Sequence, residues 1–234
     1  MSPLPCSFSH RIASPPGLSL IDYPGKVAVL VFFRGCNFRC PYCHNHTLLE
    51  LGEGEDDDAV TAKLLEMKRL ADALVVTGGE PTWGEGLLPF IETACDMGYN
   101  VKLDTNGSAP DHLEELLGRG LVSYVAMDLK HTPEKYREAC GVSVDTGLIR
   151  RSAELILKNA PEYEFRTTLV PGMHTADDVA EIIRSFSLEK SRRYVLQQYV
   201  PREGTGFPAW TRRDWTEITA PFRGVRHIEI REEP

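Results

Sequence analysis

The sequence predicts an α/β protein built as a partial, open (β/α)6 barrel of the TIM type, with parallel strands inside and helices outside. Three observations predict it. Apolar, β-rich segments alternate with amphipathic stretches of helical length, the rhythm of parallel strands joined by right-handed crossovers. Six strands stand out in a chain of 234 residues, short of the eight strands and about 250 residues of a closed barrel. Each of the six strands runs out into a polar or glycine-rich motif, and in parallel α/β folds all such ends lie on one side. A flat doubly wound sheet shares the alternation and stays open as an alternative.

In chain order, the opening MSPLPCSFSHRIASPPG is rich in Pro and Ser and reads as a tail over residues 1–19, leading into the turn SLIDYPGK. Residues 20–234 read as one domain, with no internal repeat or low-complexity linker. VAVLVFF (27–33) is a continuous apolar run, as expected of a strand buried on both faces. The acidic run GEGEDDD that follows is a solvated loop whose carboxylates favour a helix N-terminus. Helices are predicted over 58–71, 85–98, 111–120, 146–159 and 175–187, and further strands over 73–77, 100–103, 123–127, 164–170 and 194–199. After Tyr199, the chain is read to add a helix and, at RHIEIR, an edge strand.

Composition narrows the function classes. Acidic residues outnumber basic ones 34 to 26, for a net charge of −8, which argues against broad nucleic-acid or anionic-membrane binding. No apolar run is long enough to cross a membrane, and the N-terminus lacks a signal peptide's charged start and apolar centre. The expected compartment is the cytoplasm, where thiols stay reduced. Of six cysteines, Cys36, Cys40 and Cys43 cluster, while Cys6, Cys95 and Cys140 are scattered and read as packing or incidental thiols.

The cluster sits in FRGCNFRCPYCHN (33–45), just after the first strand. C-x3-C-x2-C on one tight loop suits three corners of a [4Fe–4S] cube and leaves one iron without a protein ligand. An open position is what a catalytic metal keeps and a structural one fills. Zinc held with His44 or His46 is a second reading, but a loop this short struggles to place four ligands around one ion. Cys40 to His44 also spells C-x-x-C-H, the haem-attachment pattern, which implies an exported protein. A thioredoxin-like pair leaves Cys36 unexplained. The remaining motifs are GGEP (78–81), DTNG (104–107), MDLK (127–130), Arg166 with PG (171–172), and QQY (197–199), one at each later strand end.

CNFRCPYC followed by GGEP and DTNG resembles the radical S-adenosylmethionine superfamily, from DYPG to QQYVP. SLIDYPGK, RGCNFRCPYCHN, VTGGEPT, KLDTNG, VAMDLK, FRTTLVPG and LQQY are similar to its glycyl radical enzyme activases, in particular those serving anaerobic ribonucleoside-triphosphate reductase. The resemblance implies a radical SAM core and a [4Fe–4S] cluster on Cys36, Cys40 and Cys43. It implies that S-adenosylmethionine chelates the fourth iron through its amino and carboxylate groups and is cleaved to a 5′-deoxyadenosyl radical. The radical would take hydrogen from a partner's glycine Cα. It also implies a low-potential electron donor such as flavodoxin or ferredoxin.

Site roles follow from the same resemblance. Gly78, Gly79 and Glu80 are expected at the methionine ammonium, and Asp104 and Asn106 at ribose or ammonium, with an Asx turn as the plain reading of Asn106. Asp128 is expected near the cofactor or a cation, and Lys130, on the same strand face, near the methionine carboxylate or ribose. Arg166 is expected to make a paired hydrogen bond with that carboxylate. Tyr42 is expected beside adenine, with backbone around Gln198 and Tyr199 opposite. His44 and Asn45 are expected to tune the cluster or contact the cofactor, and Asp22–Gly25 to lie near the mouth where a partner loop enters. Asp104 and Asp128 together suggest a monovalent cation. Another glycyl radical enzyme or a small molecule as target, and a non-catalytic zinc module, are the alternatives.

Overall fold

The structure, a computed structural model, describes residues 11–232. Its eight strands form one sheet in sequential order: β1 (Gly17–Ser19), β2 (Ala28–Phe33), β3 (Ala73–Gly78), β4 (Asn100–Thr105), β5 (Tyr124–Asp128), β6 (Glu162–Leu169), β7 (Tyr194–Gln198) and β8 (Ile228–Arg231). β1 is antiparallel to β2, and every pairing from β2 to β8 is parallel. Sequential order without reversal excludes the doubly wound alternative, whose strand order turns back at a switch point. Among the described residues β1 and β8 do not pair, so the barrel is open. The six expected strands are β2–β7, and RHIEIR supplies β8.

The helices are α1 (Asp57–Met67), α2 (Leu87–Asp96), α3 (Pro110–Gly118), α4 (Tyr136–Cys140), α5 (Thr146–Asn159), α6 (Ala176–Ser185) and α7 (Arg212–Thr219). Asp56, from the acidic run, caps α1 by accepting from the Ala59 N–H at 3.0 Å. β1 and α4 are additions to the expected set. Both are too short to show a hydrophobic period, and neighbouring backbone specifies them instead.

Strand alternation divides the apolar residues into two layers. Val29, Val31, Phe33, Leu74, Val76, Val101 and Leu103 pack outward with Phe90, Ile91 and Leu64 of the helices. Ala28, Ala73, Val75, Tyr124 and Ala126 point inward with Tyr23 and close the barrel floor. Leu30 and Phe32 of the apolar β2 also point inward, yet they are only half-buried because they face a cavity. Part of the segment expected as tail is packed: Arg11 and Ile12 are buried, Ile12 bridges to Phe33, and the Ala13 N–H donates to the Phe32 carbonyl at 2.8 Å. The Cys6 reading lies outside the described residues.

Candidate functional site

A cavity of about 450 Å3 opens at the C-terminal end of the parallel strands. Fifteen of the expected site residues line it: Cys36, Cys40, Tyr42, Cys43, Gly78, Gly79, Glu80, Asp104, Asn106, Asp128, Lys130 and Arg166, with Asp22, His44 and Asn45. Gln198 and Tyr199 do not. Strand alternation puts Gln197, rather than Gln198, on the cavity wall.

The cysteine loop is fixed by backbone from distant segments. The Gly35 and Cys36 N–H groups donate to the carbonyls of Leu48 (2.8 Å) and Leu49 (3.0 Å), and the Arg39 N–H to that of Cys140 (2.7 Å). Burial pushes the Cys36 thiol up to about 11 and raises Cys43 as well. Cys40 is instead held down to about 7, chiefly by a hydrogen bond with the Cys140 thiol, which is itself pushed up by burial and by Cys40. Cys140, read as a packing or incidental thiol, is buried in the core and lies against a clustered cysteine. Cys95 is remote and donates to the Leu121 carbonyl at 3.4 Å. Among the described residues, no three His, Cys, Asp or Glu side chains converge as ligands to a single ion. A cube takes each cysteine at a different iron, so it needs no such convergence.

The GGEP glycines are required by backbone contact between two loops. A Cβ on Gly79 would stand 2.2 Å from the Gly35 carbonyl oxygen, and one on Gly78, at φ +122°, 2.4 Å from that of Phe33. In their place run hydrogen bonds from the Gly79 N–H to the Phe33 carbonyl and from the Glu80 N–H to that of Gly35, both 2.8 Å. Glu80 is almost fully buried, and burial raises its pKa against the bonds it accepts. One oxygen accepts from the Thr82 N–H and the Thr82 and Thr105 hydroxyls, the other from the Asn106 N–H at 2.6 Å. The carboxylate expected at a ligand's ammonium is thus taken up in fixing DTNG to GGEP.

Asn106 forms the Asx turn that its sequence context allowed, accepting from the Ser108 N–H at 2.9 Å. Its amide also donates to Asn37, which in turn donates to the Ser108 hydroxyl at 2.8 Å. Asn37 was not anticipated, since its partners are about 70 residues away.

Beneath lies a charged layer. Asp104 accepts from Lys102 at 2.5 Å, Thr77 at 3.2 Å and Arg166 at 3.4 Å. Asp128 accepts from Arg166 Nε at 2.8 Å and from Lys130 at 3.0 Å. Burial opposes the charged form of Asp128, but Arg166 and Lys130 outweigh it and hold the carboxyl well below its ordinary range. Burial likewise opposes charge on Lys130 and Arg166, and the carboxylates keep both cationic. Arg166 lies within β6 rather than at its end, and β5 stops at Asp128, before Lys130. Because Lys102, Lys130 and Arg166 already neutralise Asp104 and Asp128, the two carboxylates give little reason for an added monovalent cation.

Tyr42 packs with Ala139, Val170 and Tyr199, and the Phe207 ring meets it edge-on at 6.5 Å. Tyr199 is buried behind this wall, its hydroxyl donating to Thr205 at 2.5 Å. His44 and Asn45 brace the cysteine loop against other strand ends: His44 Nε2 lies 2.9 Å from the Val200 carbonyl, and Asn45 donates to the Gly78 carbonyl at 3.0 Å. Asp22 reaches the cavity, accepting from the Ser19 hydroxyl. Thr77 and Thr168, on the inward face of their strands, Thr105 of DTNG, and Phe38, Leu49 and Arg202 from loops also line the cavity, and Phe38, Leu49 and Arg202 carried no prior functional signal.

The sequence model of the Radical SAM superfamily matches residues 30–186. A Methanocaldococcus jannaschii protein, provisionally named a glycyl-radical enzyme activating enzyme, is 35% identical over 192 residues, 80% of this chain and 78% of that protein. The pyruvate formate-lyase-activating enzyme of Clostridium pasteurianum is 30% identical over 155 residues, 63% of this chain and 62% of that enzyme. Among solved structures, anSMEcpe with bound AdoMet superposes with a TM-score of 0.64 at 19% identity, over 84% of this chain and 60% of that one. This last likeness concerns the fold alone.

Proposed function

The chain belongs to the radical SAM superfamily, among the glycyl-radical activating enzymes, and from that membership we propose that it installs a glycyl radical on anaerobic ribonucleoside-triphosphate reductase. The observation that carries the reading is one cavity edged by three cysteines of a single loop and floored by paired cationic and anionic side chains.

The residues fit a [4Fe–4S] cluster and S-adenosylmethionine. Cys36, Cys40 and Cys43 are the thiol donors, and metal loading requires them as thiolates, so it releases protons. The cavity falls within the roughly 300–1,000 Å3 of small-molecule sites. When bound, the cluster supplies one electron that splits the sulfonium into methionine and a 5′-deoxyadenosyl radical.

The protein's part is to bind, orient and exclude water. Lys130 and Arg166 offer positive charge to the methionine carboxylate. Asp104 and the carbonyls of the Gly78–Gly79 turn offer acceptors to the ammonium, in place of the Glu80 carboxylate. Tyr42, backed by Tyr199 and Phe207, gives adenine an apolar wall, with Gln197 as the polar group on β7. Arg166 is held by Asp128 on the adjacent strand β5 and Lys130 by the same Asp128 two residues before it, so their positions are set before ligand arrives. The open side of the barrel leaves room for a partner's loop.

A low-potential flavodoxin or ferredoxin is the electron donor in this reading. The similarity to a pyruvate formate-lyase-activating enzyme favours a second target, pyruvate formate-lyase. The deciding experiment mixes iron-loaded protein, reductant and S-adenosylmethionine with each candidate partner. A glycine-centred EPR doublet with the reductase is expected. A doublet only with the lyase moves the assignment to it, and no 5′-deoxyadenosine in any mixture removes the reading altogether.

A further inference from the structure

Arg11 lies in the segment whose composition reads as tail, more than twenty residues before the cysteines. Its side chain is nevertheless buried, at 7% exposure, and stacks over Phe33 with 5.5 Å from guanidinium carbon to ring centre. Nε donates to the Arg34 carbonyl at 2.8 Å, one terminal nitrogen to the Glu80 carbonyl at 3.1 Å, and the other to the carbonyls of Trp83 and Glu85. Its own carbonyl accepts from the Arg34 N–H at 2.5 Å.

Arg34 is the last residue before Gly35 and Cys36, and Glu80 follows the two glycines of GGEP. One guanidinium therefore joins the start of the cysteine loop to the turn that Gly78 and Gly79 form. On the cavity side the same two loops meet at Gly35 and Gly79, where a Cβ on Gly79 would stand 2.2 Å from the Gly35 carbonyl oxygen, and Asn45 donates to the Gly78 carbonyl.

We propose that Arg11 is a positioning residue that sets the distance between the metal-binding loop and the turn that receives the amino-acid end of S-adenosylmethionine, by bridging the Arg34, Glu80 and Trp83 carbonyls. The inference rests on the function proposed above. Its physical basis is the guanidinium's planar fork, which satisfies several carbonyls in fixed directions while its charge is retained. Burial lowers the pKa of this group, and the nearby Glu80 offsets that only in part. A lysine at the same place keeps the charge but presents a single point of donation. A methionine keeps length and apolar contact with Phe33 and donates nothing.

The test compares iron-loaded full-length wild type, Arg11→Lys and Arg11→Met for S-adenosylmethionine affinity, for the change in the reduced cluster's EPR signal on adding that compound, and for melting temperature. Loss of partners that orient metal-ligating residues costs roughly 10- to 100-fold in affinity or activity, and the lower end of that range is the expectation for Arg11, which orients loops rather than ligands. The expectation for Arg11→Met is a fall of about tenfold or more in affinity and a weakened EPR response, at unchanged iron content, with Arg11→Lys intermediate. Wild-type affinity and EPR response in a folded, iron-loaded Arg11→Met would overturn the proposal. Should Arg11→Met not fold, Arg11→Lys is read alone: reduced affinity at wild-type melting temperature supports the bridge, and wild-type affinity overturns it. If the wild type itself binds no S-adenosylmethionine, the function fails rather than the positioning role.

Discussion

At the scale of single residues, buried polar groups around the cavity are fixed by backbone partners, and the stacked pair His131 and His174 shows what that implies. Their rings lie 4.6 Å apart and nearly parallel. Each Nδ1 accepts from a backbone N–H, of Thr132 and Val170 respectively, so each ring carries its hydrogen on Nε2. Those Nε2–H groups donate to the carbonyls of Met173 and Lys130, and the second bond fixes the backbone of a cavity residue. Burial, then the neighbouring His131, pushes His174 down to about 4 against the hydrogen bond with the Lys130 carbonyl and the weaker pull of Asp178. The unfolded chain takes up a proton near pH 6.5, whereas the folded chain does not until about pH 4. Stability from this group is therefore full above the unfolded value and is lost as pH falls. The expected loss between pH 7 and 5 is about 2 kcal/mol. Denaturant melts at the two values check it, and His174→Gln, which keeps one acceptor and one donor, is expected to flatten the difference.

At the scale of elements, helix ends matter because they carry loops that touch the site. α6 begins with a reciprocal cap: the Asp178 N–H donates to the Thr175 hydroxyl, and the Thr175 N–H donates back to the Asp178 carboxylate. Thr175→Ala is expected to cost about 1 kcal/mol of stability and to leave S-adenosylmethionine cleavage by the iron-loaded protein unchanged. α4 ends at Gly141, at φ +68°, where a Cβ would stand 2.2 Å from the Arg39 carbonyl oxygen. Gly141→Ala is expected to push α4 off the cysteine loop and to reduce the iron retained after gel filtration, which Thr175→Ala should not do. Equal iron content in the two variants would show that α4 does not support the loop.

For the whole molecule, the open barrel separates what holds the fold from what holds the metal. Core packing lies mainly between sheet and helices, and on the inner face the open edge is tied by ion pairs. Arg193 and Arg231, on or beside β7 and β8, both reach Glu229, and both stand within 4 Å of the buried Glu164 on β6. The cysteines occupy a loop beyond the strand ends. Removing iron with a chelator is therefore expected to abolish S-adenosylmethionine cleavage while leaving most helical circular dichroism at 25 °C. Collapse of that signal would mean that the cluster, like a structural zinc, holds the fold itself. No helix among the described residues is long and apolar enough to cross a membrane.

Local pattern alone specified the six strands, five of the helices, the gathering of the motif residues at one end of the sheet, and the three clustered thiols, because period, capping and ligand spacing are properties of neighbours in sequence. Alternation could even have separated Gln197 from Gln198. Tertiary structure decided the partners. It made Glu80 the hub that fixes one turn to another, paired Arg166 with Asp128, brought Cys140 against Cys40 and drew Arg11 out of an apparent tail. Each of these is a charge or donor satisfied by a group far along the chain, and buried polar groups take whichever complement the fold brings within about 3 Å. A sequence shows which groups need partners, and only packing fixes which ones they meet.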